Sequence, residues 1–519
     1  MGSWELTRRS ILGLAAGVPI GTVLAAGGFR SSLAQESTPV RGGSVVAAVE
    51  ADWNGMDPHT NGQFASLYAW EKTYQSLVTF DETLQIVPDL AESWEILDPQ
   101  TYVFHLRPGV LFHNGAELTS DDVVFWHERL NNEDLVVPYR AWFNAIGSVE
   151  AVDPLTVQFN LDFPYSPLLA NLASMRGSAI VPRAWAESAD LNAEAFGTGP
   201  YKLTNILPQD SYRWELNADY WEPDIPYIES VDHKLLLEPA ARLTAVMTGT
   251  AQFTTLPGDL TTTLEGTDVN VLIGDKALYW HIQFNCSREP FTDPRVRKAL
   301  SLAVDHQEII DKVLGGYGTL TGPVPTGHTD WYIPVDELNY EVDLDQARSL
   351  LAEAGLADGF STTYKANSNL AEDIAVAQIL KERLSEINVD VEIIQIDQTR
   401  WVSETQPPTS DYDIRANANS FYPDADGYLY NHYHTDAGFN QTRFSNAEYD
   451  EIVTEARQLS DHEARRELYF RAQQIILDEA PIIPLWNGLN IEALAPSLQG
   501  YKQSYTGRRL FFDETWLAS

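Results

Sequence analysis

At 519 residues the chain exceeds what one ordinary hydrophobic core organises, so two or three domains are expected. Apolar residues make up 44%, enough for packed cores and too many for a globally disordered chain. With 74 acidic against 34 basic residues the formal net charge is −40, which argues against a nucleic-acid partner and fits an exported, solvated surface or a salt-rich habitat.

The N-terminus reads as a leader. Thr7-Arg8-Arg9-Ser10-Ile11-Leu12 resembles the twin-arginine export motif, an apolar run from Ile11 to Ala26 follows, and Ser32 and Ala34 are small residues at −3 and −1 of a cleavage point after Ala34. Glycines 13, 17, 21 and 27 and Pro19 make this run a poor permanent membrane helix, and no cysteine stands near the cut for a lipid anchor. Removal of residues 1–34 takes away three arginines and one glutamate, leaving −42. No later stretch offers about eighteen uninterrupted apolar residues. The single cysteine, Cys286, excludes an internal disulfide and is expected to be a buried, inert thiol.

Next in order, Gly43–Val49 reads as a strand, and the loop after it carries Trp53, Asn54 and the turn-forming Asp57-Pro58. Between 81 and 196 the pattern is strand-rich. Tyr102, Phe104 and Leu106 alternate with polar or flanking residues, as do Leu155, Val157, Phe159 and Leu161, while Thr119 and Asp122 start a helix with Val123, Trp126 and Leu130 on one face. Gly197-Thr198-Gly199-Pro200-Tyr201 is a turn and not a phosphate cradle: no Lys-Ser or Lys-Thr pair follows, and Pro200 removes an N–H. A further helix lies around Ala240–Met247.

Tyr279–Asn285 suits a buried strand, and Asp293-Pro294 caps one long amphipathic helix through Val296, Leu300, Ala303, Ile310 and Leu314, ended by Gly315-Gly316. Asp343 with Gln346 opens another helix that ends at Gly355. A helix through Ile374 and Leu384 then leads into the alternating strand Val389, Val391, Ile393, an order that argues for an α/β lobe. Ser445 with Glu448 is expected to cap a helix bearing Tyr449, Ile452 and Ala456, and Ala480–Leu485 reads as a final strand. His432-Tyr433-His434 places two imidazoles on one strand face, too few for a metal site, so no metal and no cofactor are expected.

The run Phe284-Asn285, Pro290-Phe291-x-Asp293-x-Arg295-Val296-Arg297-x-Ala299-Leu300, Ala303-x-Asp305 resembles the signature of the family 5 extracellular solute-binding proteins of ABC importers. Leu90-Ala91-Glu92-Ser93-Trp94, Phe104-x-Leu106-Arg107-x-Gly109-Val110, Phe112-His113-Asn114-Gly115 and Leu118-Thr119-x-Asp121-Asp122-Val123 are similar to that family's extra domain. The resemblance implies an α/β, two-lobed periplasmic-binding-protein fold of type II, peptide-binding cluster, with an extra α+β domain inserted in the first lobe. The boundaries expected are 41–80 plus 197–284 plus 485–519 for lobe I, 81–196 for the extra domain and 285–484 for lobe II.

It further implies a non-enzymatic, monomeric importer component located outside the cytoplasm, with a peptide or other small molecule as ligand and ABC permease subunits as partners. A solute that drives closure must touch both lobes. The expected ligand-binding residues are Trp53 and Asn54 in the first lobe, Tyr279 and Asn285 on the first crossing strand, Trp401, Phe421, Tyr422, Asp424 and Asp426 in the second lobe, and Trp486 after the second crossing. Peptide-binding relatives carry an aspartate for the α-ammonium group where this chain has Phe421. Either Asp424 or Asp426 takes that role, or the ligand is an oligosaccharide or another polar organic solute. A secreted hydrolase acting in the cleft is the alternative from another class, although no G-x-S-x-G elbow occurs.

Overall fold

Two unusually long strands tie the molecule together. In the computed structural model, which describes residues 39–53, 55–62, 64–188, 191, 194–328, 330–506 and 514–518, the strand Asn270–Phe284 pairs antiparallel with Ile482–Leu494. The expected leader, residues 1–34, and Asn54 lie outside the described residues. The first crossing strand begins nine residues earlier than Tyr279, because Gly274, Asp275 and Lys276 interrupt an otherwise apolar β pattern in its middle. At that interruption the pairing slips, between Asp275 and Tyr279, and the Asp275 carboxylate accepts from the hydroxyls of Thr319 and Thr326, each at 3.1 Å. A local break in the ladder with its own side-chain bonds is where a sheet bends most readily.

From these strands one eleven-stranded sheet runs in both directions. Toward the first lobe it passes through Phe253–Thr255, the parallel strand Ser44–Val49, then Ser230–Leu235, Ser211–Leu216 and Tyr201–Leu207; toward the second it passes through Ile414–Ser420, Phe360–Asn367 and Val389–Ile396. Each end has its own core. Trp70, Tyr74, Trp214 and Val231 fill the first, and Ile282, Phe284, Val296, Leu300, Tyr364 and Leu380 fill the second. Burial of whole aliphatic and aromatic side chains, at about 1.5–3 kcal/mol each, is what holds each lobe.

The extra domain is a four-stranded antiparallel sheet in the order 91–98, 101–106, 156–161, 146–153. Its alternation is direct: Tyr102, Phe104 and Leu106 point inward, as do Val157, Phe159 and Leu161, onto Val123 and Trp126 of the helix Ser120–Leu130. Asp122 accepts from the Thr119 N–H at 3.0 Å and so fixes where that helix starts. The helix is latched to the first lobe by Arg129, whose guanidinium holds the Asp57 carboxylate at 2.7 Å with both groups buried. The Gly197–Pro200 turn packs against the end of the helix Phe64–Thr73: a Cβ on Gly197 would collide with the Thr73 carbonyl oxygen, and one on Gly199 would stand 2.6 Å from that of Lys72. Close backbone approach, not phosphate, explains these glycines.

Three local expectations need correction. The single long helix after Asp293 is two helices, Pro294–Leu302 and His306–Leu314, because Asp305 accepts from the Glu308 N–H at 2.9 Å and starts a second helix where the first ends. The cap at Ala447–Ala456 is Asn446, which accepts from the Tyr449 N–H at 3.0 Å, while the Ser445 hydroxyl turns to Thr435. His432 and Tyr433 lie in the helix Ala425–Tyr433 and not on a strand. Asp305→Ala is expected to lower stability by about 1 kcal/mol, the usual cost of a lost N-cap. An unchanged urea midpoint in that variant would mean that packing alone separates the two helices.

Candidate functional site

The loop that leaves the strand Ile414–Ser420 is the part of the second lobe that meets the first. Pro423 limits the chain before Asp424, and Asp424 accepts from the Asp426 N–H at 2.9 Å to start the helix Ala425–Tyr433. Just ahead of that cap, the Phe421 ring stacks on His328 at 5.4 Å and meets Phe80 edge-on at 6.2 Å. Phe421 therefore belongs to the core that surrounds the extra sheet, across the boundary between lobes.

Polar contacts cross the same boundary. A terminal nitrogen of Arg176, which is 4% exposed, donates to the Phe421 carbonyl oxygen at 2.8 Å. The Ser166 N–H donates to the Arg457 carbonyl at 2.9 Å, and Tyr422 meets Trp142 with ring centroids 6.0 Å apart. Between the lobes a small gap remains, lined by Leu67, Glu71, Phe80, Ser174, Arg176 and Phe421 among others. It combines apolar walls with one acidic and one basic side chain.

The two aspartates after Phe421 are committed elsewhere. Asp424 is paired with Arg465 at 2.8 Å and Asp426 with Arg457 at 2.9 Å, and all four side chains are largely enclosed. Their charges are neutralised inside the second lobe, so an ammonium group approaching through the interlobe space meets Phe421 and not these carboxylates. Tyr422 uses its hydroxyl on His432 Nε2 at 2.8 Å and its carbonyl on His328 Nε2 at 2.6 Å.

The other expected residues lie apart from this space. Trp53 packs edge-on against Tyr212 at 4.0 Å and Trp214 at 4.9 Å, at the rim of a separate surface hollow with Asp52 and Gln209. Tyr279 is 1% exposed and stacks on His281 at 4.7 Å. Trp486 stacks on Trp280 at 5.3 Å, one ring from each crossing strand, which stiffens the joint. The Asn285 amide donates to the carbonyls of Ser410 and Tyr412 at 2.8 and 3.0 Å and so ties down the loop ahead of Ile414–Ser420. Trp401 is buried with its face toward the Arg415 guanidinium at 4.8 Å. His432 is buried against Tyr422 while His434 stacks on Tyr430 at 4.4 Å, so the two imidazoles do not converge. Burial pushes the Cys286 thiol up to about 11, which keeps it protonated and unreactive.

Arg176, Glu71 and Phe80 carry little sequence signal as residues of this space. Arg176 had one usable signal, a lone cation between the apolar runs Leu168–Ala173 and Ala179–Val181; the left-handed turn at Met175, φ 63°, helps aim it across the gap.

A family model described as bacterial extracellular solute-binding proteins, family 5 Middle, matches residues 85–440. The glutathione-binding protein GsiB of Pectobacterium atrosepticum is 29% identical over 469 residues, covering 88% of this chain and 91% of that protein. GsiB of Salmonella typhimurium is 28% identical, covering 92% and 95%. Among solved structures, the periplasmic binding protein DppA of Helicobacter pylori in complex with the peptide STSA aligns with TM-score 0.77 and 26% identity over 92% of this chain and 98% of its own. The oligopeptide-binding protein AppA of Bacillus subtilis with a nonapeptide aligns with the same TM-score and identity, over 93% and 100%.

Proposed function

The chain belongs to the bacterial extracellular solute-binding proteins of family 5, and from that premise we propose that it captures a peptide-like solute between its lobes and delivers it to the permease of an ABC importer. The observation that carries the site assignment is the Arg176 bond to the Phe421 carbonyl, made across the boundary that a solute has to bridge. Phe421, Phe80 and Arg176 line the enclosing surface, and Glu71 is the carboxylate among its lining residues. Asp424 and Asp426 act through the shape of their loop. Trp53, Tyr279, Asn285, Trp401 and Trp486 support the framework.

A second reading is an uncharged polar solute such as an oligosaccharide, favoured by the apolar Phe421 standing where peptide binding would call for a carboxylate. The protein works without turnover, as a monomer, outside the cytoplasm, and reaches that location by the twin-arginine route with residues 1–34 as its leader. The lobes divide as 41–80, 197–284 and 485–519 against 285–484, with 81–196 as the extra domain. The test is calorimetric titration of the mature protein with tripeptides including glutathione, longer peptides and oligosaccharides, combined with mass spectrometry of the recovered solute. One-to-one binding of a peptide recovered intact is expected. Binding of sugars alone would favour the second reading, and a cleaved solute would end the transport reading altogether.

A further inference from the structure

Residues 501–506 cross the joint between the lobes. Tyr501 packs on Phe253 of the first-lobe sheet with ring centroids 5.3 Å apart, and Gln503 Nε2 donates to the Asn490 carbonyl at 2.9 Å. Asn490 pairs with Gly274 beside the slip in the crossing strands, and a Cβ on Gly274 would stand 2.6 Å from Gln503 Oε1. Gln503 therefore lies directly on the joint. Lys502 adds ion pairs to Glu82 at 2.5 Å and to Glu514 at 2.8 Å, but all three side chains are largely exposed, and such pairs contribute little.

Past the joint, Tyr505 enters the second lobe. Its ring meets Phe421 edge-on at 6.1 Å and His328 edge-on at 6.3 Å, and its buried hydroxyl faces that of Tyr428. The turn that presents the ring is held by Ser504 and Thr506, whose hydroxyls lie 2.9 Å apart, and Thr506 lines the gap between the lobes. Gly327 is the floor of the seat. A Cβ there would stand inside the Tyr505 ring, whose atoms are its three nearest neighbours. Gly327 is not in the left-handed conformation that would itself call for glycine, so close approach of the ring is what requires it. Nor is it free to step aside, because Thr326 donates to the Asp275 carboxylate at 3.1 Å and His328 Nε2 meets the Tyr422 carbonyl at 2.6 Å on either side of it.

We propose that residues 501–506 are a strap anchored on the first lobe, that Tyr505 seats in a socket of Gly327, His328, Phe421 and Tyr428 on the second, and that this contact holds the lobes together before any solute arrives. Tyr505 is then a positioning residue for closure. Such a strap matters only if, as read above, the lobes part and close around a solute, and on that reading it lowers the differential affinity a solute must supply to complete closure.

The experiment reads lobe separation by pulsed electron spin resonance between labels on Ala240→Cys in the first lobe and Glu382→Cys in the second, both exposed positions, in the mature protein without added solute. The native Cys286 thiol is protonated and unreactive, so the two introduced cysteines carry the labels. The wild type should show mainly the short distance. Tyr505→Ala and Gly327→Ala should each raise the ratio of long to short about tenfold, as loss of one enclosed aromatic contact implies, while Tyr505→Phe should stay nearer the wild type. The double variant should be no more open than Tyr505→Ala, since without the ring a Cβ at Gly327 meets nothing. General unfolding broadens the distances and does not create a second defined one. A free wild type that is already open, openings that add in the double variant, or wild-type distances in both single variants while Arg176→Ala opens, would each overturn the strap alone. One unchanging distance in the wild type and in every variant, Arg176→Ala included, would overturn the reading that the lobes move, and the strap with it.

Discussion

Arg176→Ala should weaken solute binding roughly 10- to 100-fold, the equivalent of the 1.5–3 kcal/mol that a hydrogen bond to a charged group contributes. The side chain is almost wholly enclosed, and its bond to the Phe421 carbonyl joins the extra domain to the second lobe, so opening of that gap is expected to break it. Its removal acts twice. It takes a cation from the wall of the interlobe space, and it leaves the Phe421 carbonyl short of a charged donor in the closed form, so the open form gains population and the apparent affinity falls by that fraction. Arg176→Lys keeps the charge without the planar fork and should recover part of the loss. Calorimetry reads the affinity, and small-angle scattering without solute reads the lobe separation. Wild-type affinity together with wild-type dimensions in Arg176→Ala would place the ligand somewhere other than beside Phe421.

What the sequence discloses and what it hides divide along contact range. The extra domain was legible because its signals are local: alternate residues of 101–106 and 156–161 face one way, and Thr119 and Asp122 satisfy each other within one turn. The crossing strands were legible only in part. Tyr279–Phe284 has the required pattern, but the first half of that strand is disguised by Gly274-Asp275-Lys276, the same residues that let the sheet bend. The site was the least legible, and Asp424 and Asp426 show why. As sequence they are two carboxylates beside an expected ligand position. Their partners, Arg465 and Arg457, stand 41 and 31 residues further on, and no local pattern announces which charges will be neutralised inside the fold. Phe421 is the converse case. Its lack of charge is visible at once, whereas its neighbours Phe80, Arg176 and His328 arrive from three distant segments.

Folding stability should fall as pH is lowered from about 6.5 to about 4, by about 3 kcal/mol for each of three enclosed imidazoles. Burial holds His59, His306 and His432 down to about 4, against an ordinary value of 6.5. His59 shows the mechanism most plainly. Arg129 can only donate, so His59 Nδ1 is the acceptor of that bond and Nε2–H donates to the Ala179 carbonyl at 2.8 Å; a second ring proton would point at a guanidinium. The neutral ring is therefore required in the native state, and the unfolded chain takes up its proton first. Between pH 6.5 and 4 the unfolded state binds more protons, so stability is full above the upper limit and is lost as pH falls through the window. The carboxylates act both ways: protonating them relieves repulsion in a chain of net charge −40, whereas those held low by ion pairs, such as Glu308 and Asp411, lose native-state stabilisation as pH falls, so the His59 substitution and not the decline itself isolates the imidazole contribution. His59→Gln, which can still serve both partners, should reduce the slope of stability against pH by close to one proton. Urea midpoints that stay level from pH 7 to 4.5 would show that these rings do not control acid stability.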